Sequence, residues 1–518
     1  MNYLNRHCEP FDSAQDKLRE AISWMTWRLP RPLRGLAMTF LFILFAPALF
    51  AQPKHLTILH FNDLHGHLEA ECHNNACRGG AARIASVVKN VERENAPKGY
   101  KTILLFGGDA FSGTLISSEF KGEAEFRFFN AVGVDAMTLG NHEFDFGLAI
   151  LEKRIQEAQF PVLSANTRFE NSFRLLAKPT TIIADENGPS VGLVGLISDK
   201  TPHMTKPKNV AGLVFVSPIK TAKRSLKEVA DTNIHIALTH MGVKDDTKLA
   251  KKVRGIDVVI GGHDHVSPDK YCRIVREIPV CQTPANGNYL GRLDFEIDGK
   301  KIHLMKSELI PLTENIPEDP KISLLVSDYS KKLDAKYGRI LGEARSNFFM
   351  ARGRESPVGD LVVDAMREAA LTDIAFINSG GVRAPIQKGK VSLKNVAETL
   401  PFDNHLVTFE ITGKQIQKIL DFSVSKKEAA FLQISGLSFR IENGKAKDVL
   451  INDAPLDPKK IYTATTVDFL MMGGDGYTML KSLPSKTLDV LVRDVLANYI
   501  REKKIIEPPS LTRITQQK

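Results

Sequence analysis

From Leu56 onward, short apolar runs alternate with segments whose apolar residues recur at helical spacing. The runs LTILHF, TILLFGGD and AMTLGNHE are separated by helix-like stretches at Ala81 to Glu94 and Glu123 to Val132. The rhythm continues through SVGLVGLIS, the helix-like Pro218 to Asp231, IHIALTHMG, a helix over Thr247 to Val253, and DVVIGGHDH; a β-rich passage from Tyr271 to Leu312 closes this unit. Strands alternating with helices predict α/β layers.

Glu318 to Tyr337 reads as a helix charged on one side, with Pro317 and Pro320 at its start, the pattern of a linker helix. A second unit begins near Gly338. It holds a helix over Val358 to Ala370, a strand and glycine turn (DIAFINSGGVR), the strand LVTFEITG, a helix over Lys414 to Ser423 and the strand-loop IYTATTVDFLMMGGDGY. No internal repeat or low-complexity tract interrupts the pattern. The expected division is residues 52–317, a linker over 318–337, and 338–518.

The apolar stretch GLAMTFLFILFAPALFA, Gly35 to Ala51, follows Arg28, Arg31 and Arg34 and is short for a membrane span. It reads as a secretory signal, with residues 1–51 a leader cleaved near Ala51. The mixed polar sequence before it suggests that translation starts at Met25. No cysteine stands directly after the apolar stretch and the end, Leu511 to Lys518, is polar, so a soluble exported protein without a membrane anchor is expected.

Composition changes little in this picture. The 518 residues, 43% hydrophobic and 25% charged, exclude collagen-like, low-complexity and small disulfide-dense scaffolds. The formal charge of +9 falls to +7 over 467 residues once the leader is removed with its six Lys/Arg and four Asp/Glu. This surplus is spread out, with no dense basic block of the kind that marks a nucleic-acid polymer as partner. It reads as solubility charge.

The polar residues that follow the apolar runs change the picture more. Asp63 and His65 follow LTILHFN, Asp109 follows TILLFGG, Asn141 and His142 follow AMTLG, His240 follows IHIALT, and His263 and His265 follow DVVIGG. Ends of adjacent strands in an α/β sheet meet at one edge, and glycines let the backbone turn there, so these residues can share one site. Carboxylate, amide and imidazole without thiolate suit divalent Zn, Mn, Fe or Co. Among their neighbours, His67 reads as a loop histidine bonded locally, His60 and His235 as core or surface residues, and Glu143 as a solvated neighbour.

The set D-x-H, GGD, GNHEFD, THMG and GGHDH resembles the calcineurin-like metallophosphoesterases. With NSGGVR and DFLMMGGDGY it resembles the 5'-nucleotidase family, which includes bacterial periplasmic UDP-sugar hydrolases, over nearly all of residues 54 to 515. The resemblance implies an α/β fold: a four-layer αββα metallophosphoesterase domain, a linker helix and a smaller α+β substrate-binding domain. It implies that Asp63, His65 and His265 hold one divalent ion, that Asn141, His240 and His263 hold another, and that Asp109 bridges them. His142 and Asp145 match the family's catalytic dyad. Arg352, Asn378 and Arg383 match contacts to anionic or polar parts of the substrate, Phe402 and Phe469 a pair of faces for the base, and Asp475 a partner of ribose hydroxyls.

The implied activity is release of phosphate from nucleoside 5'-monophosphates in the periplasm or outside the cell, a step of nucleotide catabolism. Hydrolysis of UDP-sugars, dinucleotides or 2',3'-cyclic nucleotides by the same centre is the near alternative; a thiosulfohydrolase and a nucleotide-binding surface protein without activity are the distant ones. One departure stands out: NSGGVR has serine and valine where relatives often read NGGGIR.

Cys8 falls in the leader, which leaves Cys72, Cys77, Cys272 and Cys281 in a chain marked for an oxidising compartment. Disulfides Cys72–Cys77 and Cys272–Cys281, each closing a short loop, are expected.

Overall fold

Alternation along the central strands creates the layers. The computed structural model describes residues 53–516 apart from 74–75, 185–187 and 427; the expected leader, its cleavage site near Ala51 and the start at Met25 lie outside them. In the strand Lys54–Phe61, Leu56 and Ile58 join a cluster with Ile236, Leu238 and Ile260 of a second sheet. Leu59 and Phe61 point the other way, onto Val87 and Val88 of the helix Ala81–Asn95 and Phe129 of the helix Glu123–Val132. The second sheet repeats the arrangement. Ala237 and Val259 turn outward against Ala222 of the helix Pro218–Ser225 and Leu249 of the helix Val243–Lys252. A strand covered on both faces has no polar face, which is why these strands are apolar runs. The result is helix, sheet, sheet, helix.

The first sheet runs in the order Lys301–Pro311, Tyr289–Asp298, Lys54–Phe61, Lys101–Phe106, Ala136–Thr138, Val162–Leu163. The second runs Cys272–Val275, Ile278–Cys281, Val258–Ile260, Ile234–His240, Val191–Ile197, Thr180–Ile183. Lys54–Phe61, Lys101–Phe106 and Ala136–Thr138 are parallel, as are Val191–Ile197, Ile234–His240 and Val258–Ile260. Their C-terminal ends, and the loops that follow, therefore share one edge.

The helix Pro320–Tyr337 starts at Asp319, whose side chain accepts from the N–H groups of Lys321 and Ile322. It buries Ile322, Val326, Tyr329 and Leu333 in the core of the first domain, and Tyr329 donates to Glu123 at 2.7 Å. The second domain has its own core around a five-stranded sheet: Leu432–Ser435, Ile374–Asn378, Ile461–Val467, His405–Thr412, Ser485–Leu491. The helices Pro357–Ala370, Gly413–Ser425 and Val492–Lys503 pack on it.

Some boundaries differ from the sequence pattern. The helix expected from Thr247 begins at Val243, because Gly242 at φ 82° turns the chain immediately after the preceding strand and Asp245 and Asp246 favour a helix N-terminus. The helix expected to reach Asp231 gives way after Ser225 to a tight 3-10 turn, Leu226–Val229. Cys72–Cys77 and Cys272–Cys281 are disulfides between directly facing residues of antiparallel strands, with Cα atoms 4.1 Å apart in each. Among the described residues no helix is long and apolar enough to cross a membrane.

Candidate metal centre

The loops at the shared edge bend sharply. Asp63, His65, Asp109, His263 and His265 all have φ between 47° and 97°, a region side chains rarely occupy and one concentrated at functional sites. Neighbouring glycines let the loops approach: a Cβ on Gly140 would lie 2.1 Å from Asp109 Oδ1, and one on Gly262 would lie 2.5 Å from the Gly107 carbonyl.

This bending brings the candidates together. Ligand atoms of Asp63, His65 and His265 lie within 4.8 Å of one another, as do those of Asp109, His240 and His263, and of His65, Asp109 and His142. His240 Nε2 is 3.0 Å from Asp109 Oδ2 and 4.0 Å from Asp63 Oδ1. Asp63 Oδ1, His240 Nε2 and Asn141 Oδ1 are buried with no hydrogen-bond partner. Buried polar atoms left in this way cost free energy unless something else meets them.

The outer atoms are held. Asp63 Oδ2 accepts from Asn62 Nδ2 at 2.6 Å and from the His263 N–H at 2.9 Å. His240 Nδ1 lies 2.8 Å from the Gly107 carbonyl and His65 Nδ1 lies 3.1 Å from the Ser112 carbonyl. A carbonyl only accepts, so each Nδ1 carries a hydrogen and each Nε2 faces the cluster, the orientation of a metal-ligating imidazole. Burial drives His65 well below its ordinary pKa. Burial also opposes the charging of His240, but Asp109 and Asp63 prevail and lift it to about 10, so this corner strongly attracts positive charge. The donor set, its orphaned atoms and its field fit divalent cations.

Beside the cluster, His142 Nδ1 is 2.6 Å from Asp145 Oδ2, and the His142 N–H donates to Asp109 Oδ1 at 2.8 Å. Burial disfavours the imidazolium, yet Asp145 and Asp109 raise His142 to about 9. Asp145 is braced by the Thr205 hydroxyl at 3.0 Å and, at its carbonyl, by Asn209 Nδ2 at 2.9 Å.

Glu143 is not a solvated neighbour. It is fully buried and accepts backbone N–H groups from Asp109 at 2.9 Å, Ala110 at 2.6 Å and Gly140 at 2.5 Å. One carboxylate thus joins the Asp109 turn to the Asn141 turn. Sequence reasoning missed this role, as it missed Asn62, Thr205 and Asn209; the available signal for Glu143 was its place inside GNHEFD. His67 is bonded locally, 2.7 Å from Glu71, and His60 is a buried residue 3.0 Å from Tyr271 Oη. His235 pairs with Asp257 at 3.0 Å.

The second domain reaches the same place. A Cβ on Gly113 would lie 2.9 Å from the His65 side chain and 3.0 Å from Arg383 Nη2, so Arg383 touches the turn beside His65. Burial, then Arg352 nearby, lowers Arg383 to about 10, and Asp145 and Asp109 pull the other way. Asn378 Nδ2 donates to Asp475 Oδ2 at 2.7 Å, and Asp475 feels the charges of His142 and Arg352. Arg383 sits over the Phe402 ring at 5.9 Å, and the Phe469 ring covers Gly474. Both phenylalanines are half-buried, and neither stacks on another aromatic ring among the described residues. Lys206 of the first domain pairs with Asp468 at 3.2 Å and donates to the Asp403 carbonyl at 3.1 Å, the residues next to those two rings.

Residues 56–267 match the calcineurin-like phosphoesterase family, and residues 336–482 match the 5'-nucleotidase C-terminal domain. The chain is 30% identical to protein UshA of Yersinia enterocolitica over 504 residues, covering 86% of this chain and 91% of that one. It is 32% identical to the 5'-nucleotidase of Homo sapiens, over 88% of this chain and 89% of that one. The crystal structure of a 5'-nucleotidase precursor from Thermus thermophilus superposes with a TM-score of 0.80 at 29% identity, covering 89% of this chain and 99% of that one.

Proposed function

Because the chain belongs to the 5'-nucleotidase family of calcineurin-like phosphoesterases and is a metal-dependent nucleotide phosphohydrolase, we propose that its substrates are nucleoside 5'-monophosphates, hydrolysed outside the cytoplasm. One observation carries the substrate reading: Arg383 of the second domain reaches the turn beside His65, so groups suited to a nucleotide face the ligand cluster. The apolar leader pattern and two disulfides support export.

Two divalent ions of the Zn, Mn, Fe or Co type, held by Asp63, His65 and His265 and by Asn141, His240 and His263 with Asp109 between, would polarise the phosphate and activate water. The chain's own residues do the rest. Arg352 and Arg383 bind phosphate oxygens, where a guanidinium fork fits best. Phe402 and Phe469 take the base between their faces, a contact tolerant of base identity, and Asp475, steadied by Asn378, accepts from ribose hydroxyls. As the water oxygen bonds to phosphorus, the bond to the ribose 5' oxygen breaks. His142, held at Nδ1 by Asp145, offers its Nε2 hydrogen to the phosphoryl group or the departing oxygen.

Hydrolysis of AMP, UDP-glucose, 2',3'-cyclic AMP and p-nitrophenyl phosphate, read as the product each one forms, tests the reading. AMP should give the highest kcat/KM; preference for p-nitrophenyl phosphate would contradict it.

A further inference from the structure

The strand Leu432–Ser435 runs antiparallel to Ile374–Asn378, with Gln433 opposite Ile377. Gln433 is 1% exposed, and a buried primary amide brings two N–H donors and an oxygen with two lone pairs, all needing partners. All four find one. Gln433 Oε1 accepts from the Ser356 N–H at 2.9 Å and the Ser356 hydroxyl at 3.1 Å. Gln433 Nε2 donates to the Arg354 carbonyl at 2.8 Å and to the Ser379 hydroxyl oxygen at 2.9 Å. Ser379 passes its own hydroxyl hydrogen to the Phe431 carbonyl at 2.8 Å.

One amide therefore joins three segments: the loop that carries Arg352, the start of the helix Pro357–Ala370, and the turn running from Asn378 to Arg383. The fit is close, since a Cβ on Gly359 would lie 2.4 Å from the Gln433 side chain. Serine at 379 is the departure noted in the sequence, and glycine there would leave one Gln433 donor without its acceptor. The joined loops also carry like charges close enough to oppose one another, Arg352 and Arg383. Repulsion favours splaying them, so holding both in place needs a tie that is itself fully satisfied.

We infer that Gln433 and Ser379 form a positioning strut that holds the Arg352 loop against the Arg383 turn and thereby sets the affinity for the anionic end of the substrate. The inference rests on the proposed role of those two arginines. Neither strut residue contacts the reacting atoms, so its effect falls on KM rather than kcat.

Ser379→Ala cuts the strut at one bond and keeps the other three Gln433 bonds. Gln433→Glu keeps the acceptor bonds to Ser356 and removes both donor bonds. Hydrogen–deuterium exchange on the full chain should quicken in 352–356 and 378–383 together, with the strand His405–Thr412 unchanged. Quickening confined to 378–383 in both variants would overturn the strut. KM for AMP should rise about fivefold in Ser379→Ala, the weight of one hydrogen bond, and further in Gln433→Glu, with kcat kept within twofold. Coupled exchange with unchanged KM would overturn the link to affinity. Arg383→Ala, measured alongside, isolates the premise: if it leaves KM for AMP unchanged, the substrate role of the arginine fails, while the exchange result still judges the strut.

Discussion

His65 and His265 point their Nε2 atoms at one another across 2.9 Å, with Asp63 Oδ1 3.8 Å from the first and 3.4 Å from the second. The Ser112 carbonyl fixes the hydrogen of His65 on Nδ1, so this contact presents a lone pair to its partner ring. A shared cation reconciles the two imidazoles and the carboxylate. His265→Ala should remove about one equivalent of bound divalent metal per chain, read by elemental analysis, while thermal unfolding in the presence of chelator stays close to wild type.

Glu143→Gln replaces a three-fold acceptor of backbone N–H groups by an amide that turns one N–H toward them. The Asp109 and Asn141 turns then lose their common anchor. Outer partners of metal ligands are worth roughly ten- to hundredfold in affinity. Metal titration should show weakening of that order; unchanged affinity would mean that the ligand turns hold themselves.

The dyad predicts a split between binding and turnover. Asp145→Asn leaves His142 without its carboxylate, and kcat on AMP should fall by about two orders of magnitude or more with metal content unchanged. Thr205→Ala removes only the brace on the Asp145 carboxylate, leaving Asn209 on its carbonyl, and should cost about fivefold. Equal losses in the two variants would argue against the dyad.

Phe469→Ala removes one of the two faces proposed for the base, a stacking contact worth ~1–3 kcal/mol. The KM for AMP should rise roughly tenfold or more, while turnover of a phosphoester without a nucleobase, glycerol phosphate, stays near wild type. Equal loss on both would place Phe469 in the fold rather than at the base.

A pH effect on stability follows from Asp360, fully buried at 3.8 Å from Arg513. Burial pushes its pKa up to about 8, against the pull of Arg513 and with Glu355 and Asp364 adding to the rise. The folded state therefore binds the proton more tightly than the unfolded chain. Stability from this group is complete below about pH 4 and lost as pH rises toward 8. Relative to Asp360→Asn, the wild type should lose Tm steadily between pH 5 and 8 and level off above; a constant difference would contradict the assignment.

The layers of the first domain were legible because strands buried on both faces read as largely apolar runs, as LTILHF and IHIALT do. The convergence of Asp63, Asp109, His240 and His263 was legible for a related reason: each ends or follows such a run, close to a turn or glycine. The strand Lys445–Ile451 escaped because its lysines and aspartate, which face solvent, interrupt the apolar pattern in its first half. Glu143 escaped because its partners are backbone N–H groups, which leave no trace in side-chain sequence. Gln433 escaped similarly: an amide in an apolar strand shows nothing of the loops it joins.

Asp109 belongs to two of the three ligand groups and is the residue proposed to lie between the two ions, so Asp109→Asn is the most direct test of the account. Bound metal and phosphate release from AMP should be measured on the same preparations. The wild type should carry two equivalents of divalent metal and release phosphate, and Asp109→Asn should lose metal and activity together. Undiminished metal and turnover in Asp109→Asn would contradict the account.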